Sequence, residues 1–289
     1  MDVIAAITSN EVYIRLGFFF GVFALMAGWE VVAPRRALTV SKSVRWLNNL
    51  GLVFLNSLLL RWLFPAAAVG VAMFVGQEGW GFLNFYQIPL WLSVVVAIVL
   101  MDLVIYLQHV MVHAVPLLWR LHRVHHADLD YDVTTGARFH PLEIILSMII
   151  KFAVIVLLGA PVVAVIVFEV LLNASSMFNH SNIRFPVSLD RYMRWFVVTP
   201  DMHRVHHSVH DDEANSNFSF SLSCWDRIFG TYRDQPRDGH EQMTIGIHEY
   251  RQLKQVCWLP GLLSLPFVGK VSRYAINRRT WNEKELDNE

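Results

Sequence analysis

Cysteine is almost missing from this chain: Cys224 and Cys257 are the only two among 289 residues. They lie far apart and in no pairing motif, which excludes a disulfide framework and a cysteine-ligated iron–sulfur cluster. Charge is scarce as well. Asp, Glu, Lys and Arg make up 17% of the residues, against roughly 25% in soluble globular chains. There is no surplus of either sign, Lys+Arg and Asp+Glu both counting 24, so nothing argues for a nucleic-acid partner. The N-terminus is acidic at Asp2 and lacks a basic start before an apolar core, so no cleavable signal peptide is expected.

Apolar residues fill the space that charge leaves, at 54% of the chain. Several runs approach twenty residues, the length that crosses a bilayer. Residues 12–32 form the first and end at Pro34-Arg35-Arg36. Residues 46–76 hold Arg61 and Pro65 near their middle; they form either one kinked span or two half-segments. Arg61 either snorkels or pairs with a lipid phosphate. Residues 88–107 form the next span. Residues 142–158 and 162–177 are parted only by Gly159-Ala160-Pro161, which reads as a tight helical hairpin. The expectation is an all-α integral membrane helical bundle of about four to five spans. Three parts follow: transmembrane segments at 1–87, a catalytic domain at 88–240, and an interfacial segment with a tail at 241–289.

Positive charge orients the bundle. Arg35, Arg36, Lys42 and Arg45 lie between the first two spans, and Arg120, Arg123 and Arg138 lie between His109 and His140. The link at 77–87 and the turn at Gly159 carry no Lys or Arg. The positive-inside rule then puts the arginine loops in the cytoplasm, the N-terminus outside and the long C-terminal part inside. An inner membrane of a bacterium is the expected location. After Arg184 the chain turns polar and should form a cytoplasmic cap, with Trp225 and Phe229 in its core. Residues 257–267 are apolar but broken by two prolines, and are expected at the membrane interface. The polar tail at 277–289 is expected to fray.

Histidine is what this chain has in quantity. His109 and His113 are four apart, so they share a helix face, which Tyr106 and Asp102 continue toward the membrane. His122-Arg-Val-His125-His126 recurs as His203-Arg-Val-His206-His207. In each copy the adjacent pair splays by about 100° around a helix, so one segment can serve two ions. With His180 there are nine imidazoles. A single ion takes about four to six ligands, so nine suggest a dinuclear site. All fall on the side that Lys and Arg assign to the cytoplasm. Solvated surface histidines are the bland alternative, but eight at ligand spacing by chance is improbable.

The neighbours are less decided. His140 either ligates metal or caps the helix that Pro141 starts, and His210 is read as a surface or supporting group. His240 and His248 are expected on the surface. Asp102 sits inside a span, where it either holds the outer nitrogen of a ligating histidine or makes a helix–helix hydrogen bond. Asp128, Asp132, Asp201 and Asp211 flank the histidines as supporting carboxylates or as plain surface residues. Imidazole suits zinc, copper, iron and nickel. Structural zinc needs only four ligands and usually recruits cysteine. A reducing cytoplasmic face and open coordination positions favour iron that activates dioxygen, and the Glu-x-x-His pattern of ferritin-like di-iron proteins is absent.

In this order among membrane spans, His109-x3-His113, His122-x2-His125-His126 and His203-x2-His206-His207 resemble the fatty acid hydroxylase / sterol desaturase superfamily. Further runs carry the likeness. They include Thr134-Thr-Gly-Ala-Arg138-Phe-His140-Pro-Leu-Glu143, Phe178-Asn179-His180 and Thr199-Pro-Asp201. Asn217-Phe218 and the stretch from Trp225-Asp226 to Phe229-Gly230-Thr231-Tyr232 complete it. The likeness covers residues 88–232, about half the chain. Ser219 stands where members often carry glycine. The resemblance implies a membrane-bound non-haem di-iron oxygenase. Such an enzyme attacks an unactivated C–H bond of a sterol, fatty acyl or related lipid, hydroxylating or desaturating it. No cytochrome b5 domain is fused here, so it also implies a separate cytochrome- or ferredoxin-type electron donor. An apolar substrate would enter from the bilayer between the spans ending at His109 and His180. The rivals are a membrane metal transporter or sensor, and a zinc-dependent membrane hydrolase.

Overall fold

The computed structural model describes residues 3–270 and Ile276. The expectation for residues 277–289 therefore lies outside the described residues. Among those described there are helices, turns and isolated bridges but no strands. Five helical stretches are long and apolar enough to cross a membrane.

The short helix α1 (Val3–Ser9) leads into α2 (Glu11–Val32). The stretch from Lys42 to Phe85 divides into α3 (Lys42–Leu63), α4 (Ala67–Glu78) and the single turn α5 (Phe82–Phe85). The division between α3 and α4 falls at Pro65, which cannot donate the next helical hydrogen bond. Ala67 takes up the bend with a φ of 49°. With twelve residues, α4 is about 18 Å long, well short of a hydrocarbon core of about 30 Å. The two open readings of this stretch thus resolve into two segments. Arg61 is exposed at the end of α3.

α6 (Leu90–Ala114) runs back and meets α7 (Pro116–His126) at Val115, with Pro116 at the first helical position, where a missing N–H costs nothing. α8 (Pro141–Leu158) ends on Gly159 in the left-handed conformation, and α9 (Val162–Asn179) starts directly after Pro161. That tight hairpin is the expected one. At its tip Gly81 abuts Gly159 so closely that a Cβ on Gly81 would lie 2.0 Å from the Gly159 nitrogen. Ala68, Val69 and Ala72 of α4 join Ile155, Ala164, Val165 and Phe168 in one membrane-level core.

Beyond α9 come α10 (Val187–Met193), α11 (Pro200–His206), α12 (Asp211–Ala214) and α13 (Cys224–Ile228), embedded in long loops. They form a cap over the end of the bundle where α6 and α9 finish. A second core lies under α7, where Leu52, Trp119, Val124, Leu129, Ile247, Val256 and Leu262 pack together. Cys257 and Leu265 belong to it too. The apolar run at 257–267, expected at the interface, buries Cys257, Leu262, Leu265 and Pro266 and leaves Trp258, Pro260, Ser264 and Phe267 exposed. Its prolines start a short helix and a 3-10 turn that seat α7. Arg123 donates to the carbonyls of Leu265, Val268 and Lys270, and Arg138 to that of Val256.

A buried charge network joins cap to bundle. Arg45 on α3 forks onto Asp128 at 2.7 Å and also pairs with Asp132. Thr135 adds a hydroxyl to the same cluster at 3.0 Å. Burial alone would raise the Asp128 carboxyl, but Arg45 and Arg138 beside it hold it well below the usual carboxylate range. Asp130 accepts from the backbone N–H groups of Thr39 and Val40. These carboxylates tie the loop after α7 to the start of α3 and touch none of the histidines.

Candidate metal centre

Four separate pieces of chain end at one place. α6 brings His109 and His113 on one face, α7 brings His122, His125 and His126, His180 follows the last turn of α9, and α11 with its C-cap brings His203, His206 and His207. Thr199 starts α11 by accepting from the Met202 N–H at 3.3 Å, ahead of Pro200 and Asp201 in the first turn. The sequence Thr-Pro-Asp is a helix-start signature for that reason.

The nine imidazoles sort into two buried groups. His109, His113, His122, His126 and His206 form one; His125, His180, His203 and His207 form the other. In each group the candidate ligand atoms lie within 4.8 Å of one another. The adjacent pairs are divided between them, His125 from His126 and His206 from His207, as their splay around a helix requires. The inward nitrogens approach closely: 3.1 Å for His113 to His126, for His125 to His180 and for His180 to His203. Two nitrogens on metal bonds of about 2.1 Å at right angles would be about 3 Å apart. The Nε2 atoms of His109, His122, His206 and His207 are buried and make no hydrogen bond. Buried polar atoms are ordinarily satisfied, so a cluster of orphaned lone pairs aimed at common points fits a pair of metal ions.

The outer nitrogens explain the orientation. His109 Nδ1 is 2.8 Å from the Phe218 carbonyl, His206 Nδ1 2.8 Å from that of Ser216, and His180 Nδ1 2.8 Å from that of Ser176. A carbonyl only accepts, so these Nδ1 atoms carry the hydrogen and Nε2 keeps its lone pair for the interior. His113 Nδ1 faces the Asn215 side-chain oxygen at 3.2 Å, and His122 Nδ1 faces Glu143 at 2.6 Å. Burial first, and the crowding of neighbouring imidazoles second, push His125, His126, His203, His206 and His207 well below the usual histidine range. Burial takes His180 down to about 3. All are neutral at pH 7, the form that binds metal.

The loop at 215–218 thus supplies outer partners to three histidines, and it is held in turn. Asn217 adopts a φ of 52° and locks onto the carbonyls of Met202 and Arg233 and the Arg233 N–H. Asp226 accepts from the N–H groups of Phe218 and Ser219 and from Thr231. Ser219 returns a bond by accepting from the Asp226 N–H at 3.1 Å. Gly136 lets the loop before α8 touch the end of α9: a Cβ there would meet the Ser176 oxygen at 2.7 Å and His180 Nδ1 at 3.0 Å.

Several expected neighbours lie elsewhere. His140 caps α8, accepting from the Leu142 N–H at 3.2 Å, and joins neither group. His210 pairs with Asp238 at 2.8 Å near the surface. Asp102 holds no histidine; it accepts from Trp225 Nε1 at 2.9 Å and the Leu222 N–H at 3.1 Å, tying α6 to the cap. Asp201 pairs with Arg204 and Arg35. Asp128 and Asp132 serve Arg45, and Asp211 accepts from the Asp212 N–H. His240, expected on the surface, is buried, 3.7 Å from Asp201 and 3.1 Å from Gln235. Asp201 and Gln235 face its ring from within the cap, and polar partners of this kind are what let a histidine be buried. His248 is exposed, as expected. Phe229, expected in the core, is 52% exposed and stacks on Tyr106 at 5.2 Å. Trp225 is half-buried. Glu143 and the carbonyls of Ser216 and Phe218 are the functional groups that histidine spacing does not reveal.

Comparison with known proteins agrees with this geometry. Residues 94–231 match the family model described as fatty acid hydroxylase. This region, just under half of the chain, is similar to the fatty acid hydroxylase family. The chain is similar to the ornithine lipid hydroxylase OlsE of Rhizobium tropici, 29% identical over 162 residues, 55% of this chain and 47% of that protein. It is 29% identical to the alkylglycerol monooxygenase of Homo sapiens over 150 residues, 52% of this chain and 32% of the relative. It is 28% identical to the human cholesterol 25-hydroxylase over 139 residues, 47% of this chain and 49% of the relative. The matched part of the chain thus spans about half or less of the length of these relatives. No solved structure matches the chain. All nine clustered histidines fall inside the family-matched region.

Proposed function

We propose that this protein is a membrane-bound di-iron oxygenase that hydroxylates a C–H bond of a lipid, drawing electrons from a separate carrier. The division of nine buried imidazoles into two groups with orphaned inward nitrogens carries this reading. His109, His113, His122, His126 and His206 would hold one iron, and His125, His180, His203 and His207 the other. The bound pair would supply dioxygen activation. For each turnover one dioxygen, one C–H bond, two electrons and two protons give an alcohol and water.

The chain's own contribution is placement and exclusion. The carbonyls of Phe218, Ser216 and Ser176 keep three rings turned inward, and burial of the whole cluster keeps bulk water from the reacting carbon. An apolar substrate would enter from the bilayer between the spans ending at His109 and His180, α6 and α9. Relatives named for ornithine lipid, alkylglycerol and cholesterol support a lipid substrate. The arginine loops favour a cytoplasmic cap and, in a bacterium, an inner-membrane location. Transport needs a site near the bilayer midplane, whereas these groups sit at helix ends.

The experiment is metal analysis of detergent-purified protein, with mass spectrometry of membrane lipids from cells with and without it. Two irons per chain and a lipid heavier by one oxygen atom are expected. Protein replete with zinc and lacking iron, with unchanged lipids, would overturn the reading.

A further inference from the structure

The two groups of imidazoles are supported very differently. In the group of five, His109, His113, His122 and His206 each have an outer partner. In the group of four, only His180 is so held; the Nδ1 atoms of His125 and His203 are buried without a partner, and His207 has none at either nitrogen. Of the partners, one alone is a carboxylate. Glu143 reaches His122 at 2.6 Å, both side chains at most 5% exposed.

Glu143 sits at the third helical position of α8, three residues after the N-cap His140. A glutamate there ordinarily bonds back to the N-cap N–H. Here one oxygen goes to His122 and the other has no partner. Capping therefore does not account for its conformation. The positive end of α8 favours negative charge at this place. A carboxylate accepting from the outer N–H of an imidazole fixes that ring and makes its inner nitrogen a stronger donor.

We infer that the two metal positions are inequivalent by construction: the group of five fills first and more tightly, and Glu143 is the positioning residue that sets this order through His122. The inference rests on the two-metal reading. Four of its five rings are already oriented, so less ordering is left to binding. Its ligand set also has a negative charge close behind it, which the other group lacks.

The test is a titration of metal-free, detergent-purified protein with Co2+, followed by visible absorption and calorimetry. It is run on wild type, Glu143→Gln and Glu143→Ala. Wild type is expected to bind two ions in two resolved steps with distinct spectra. Glu143→Gln, which keeps the shape and an acceptor but not the charge, should weaken the first step about 10–100-fold. The second step should move less than about twofold. Glu143→Ala should weaken the first step at least as much and shift its absorption bands, which a loss confined to fold stability would not do. Binding of fewer than two ions by wild type would sink the two-metal reading itself. Two indistinguishable steps, or steps weakened equally in Glu143→Gln, would overturn the inference and leave that reading standing.

Discussion

Two polar clusters lie side by side inside the cap, equally hidden from water and opposite in character. Around Arg45, the Asp128, Asp132 and Thr135 side chains meet one another's hydrogen-bonding needs. Around His207 and His109, nitrogens converge and find nothing. Burial of polar groups is costly in both places. The first cluster offsets that cost within the chain and so reads as architecture. The second leaves it outstanding, which is the mark of a place built for something the polypeptide does not contain. Asp128, Asp132 and Thr135 follow directly on His122, His125 and His126 in sequence, so proximity alone does not separate the two clusters; satisfaction does.

The strongest way to break the contrast is His125→Ala. On the proposed two-metal reading it removes a ligand that no other imidazole can replace, so activity should vanish and about one of two metals should be lost by elemental analysis. Unchanged metal content and turnover would take His125 out of the ligand set. Arg45→Met attacks the other cluster. It leaves Asp132 buried without its cation and Asp128 with only Arg138 at 3.6 Å, a change worth about 3–5 kcal/mol, to be read as a lower denaturation midpoint in detergent. If metal content fell while stability held, the division drawn here would fail.

pH separates the clusters more finely. His125, His126, His180, His203, His206 and His207 are depressed by burial, so in metal-free protein their share of stability is present above about pH 6.5 and lost as pH falls below it. Asp128 is also depressed, but from a carboxylate value, so its share is lost only below about pH 4. Thermal midpoints of the metal-free protein should therefore decline in two stages, and loading with metal should suppress the upper one. A single stage common to both forms would contradict this. The smallest effect is expected for His240→Ala. It should cost about 1 kcal/mol for a lost buried contact and leave metal content untouched.

The histidine spacings were legible because a helix repeats at a fixed angle, and i, i+4 pairs and adjacent pairs announce where eight of the nine rings point, all but the lone His180. The tight hairpin at Gly159 was legible for a similar local reason. The outer partners were not. The Phe218 and Ser216 carbonyls are backbone and belong to every residue alike, and only the left-handed Asn217 turns them toward His109 and His206. Glu143 looks in sequence like an ordinary first-turn acid. Asp102 looked like a supporter of a ligand because it shares a helix face with His109, but the cap claims it from the side through Trp225. His240 looked solvated because its neighbours are polar, and those neighbours closed over it. The end of α3 at Pro65 needed distance, not composition, to decide.

One attachment carries a practical lesson. The helix bearing His122, His125 and His126 is gripped from below by carbonyls at 265, 268 and 270, all past residue 231, where the family match stops. The loop after that helix is anchored by Arg45, well before residue 94, where the match starts. An excised fragment trimmed to the recognisable region would keep every imidazole and lose the vice that aligns them.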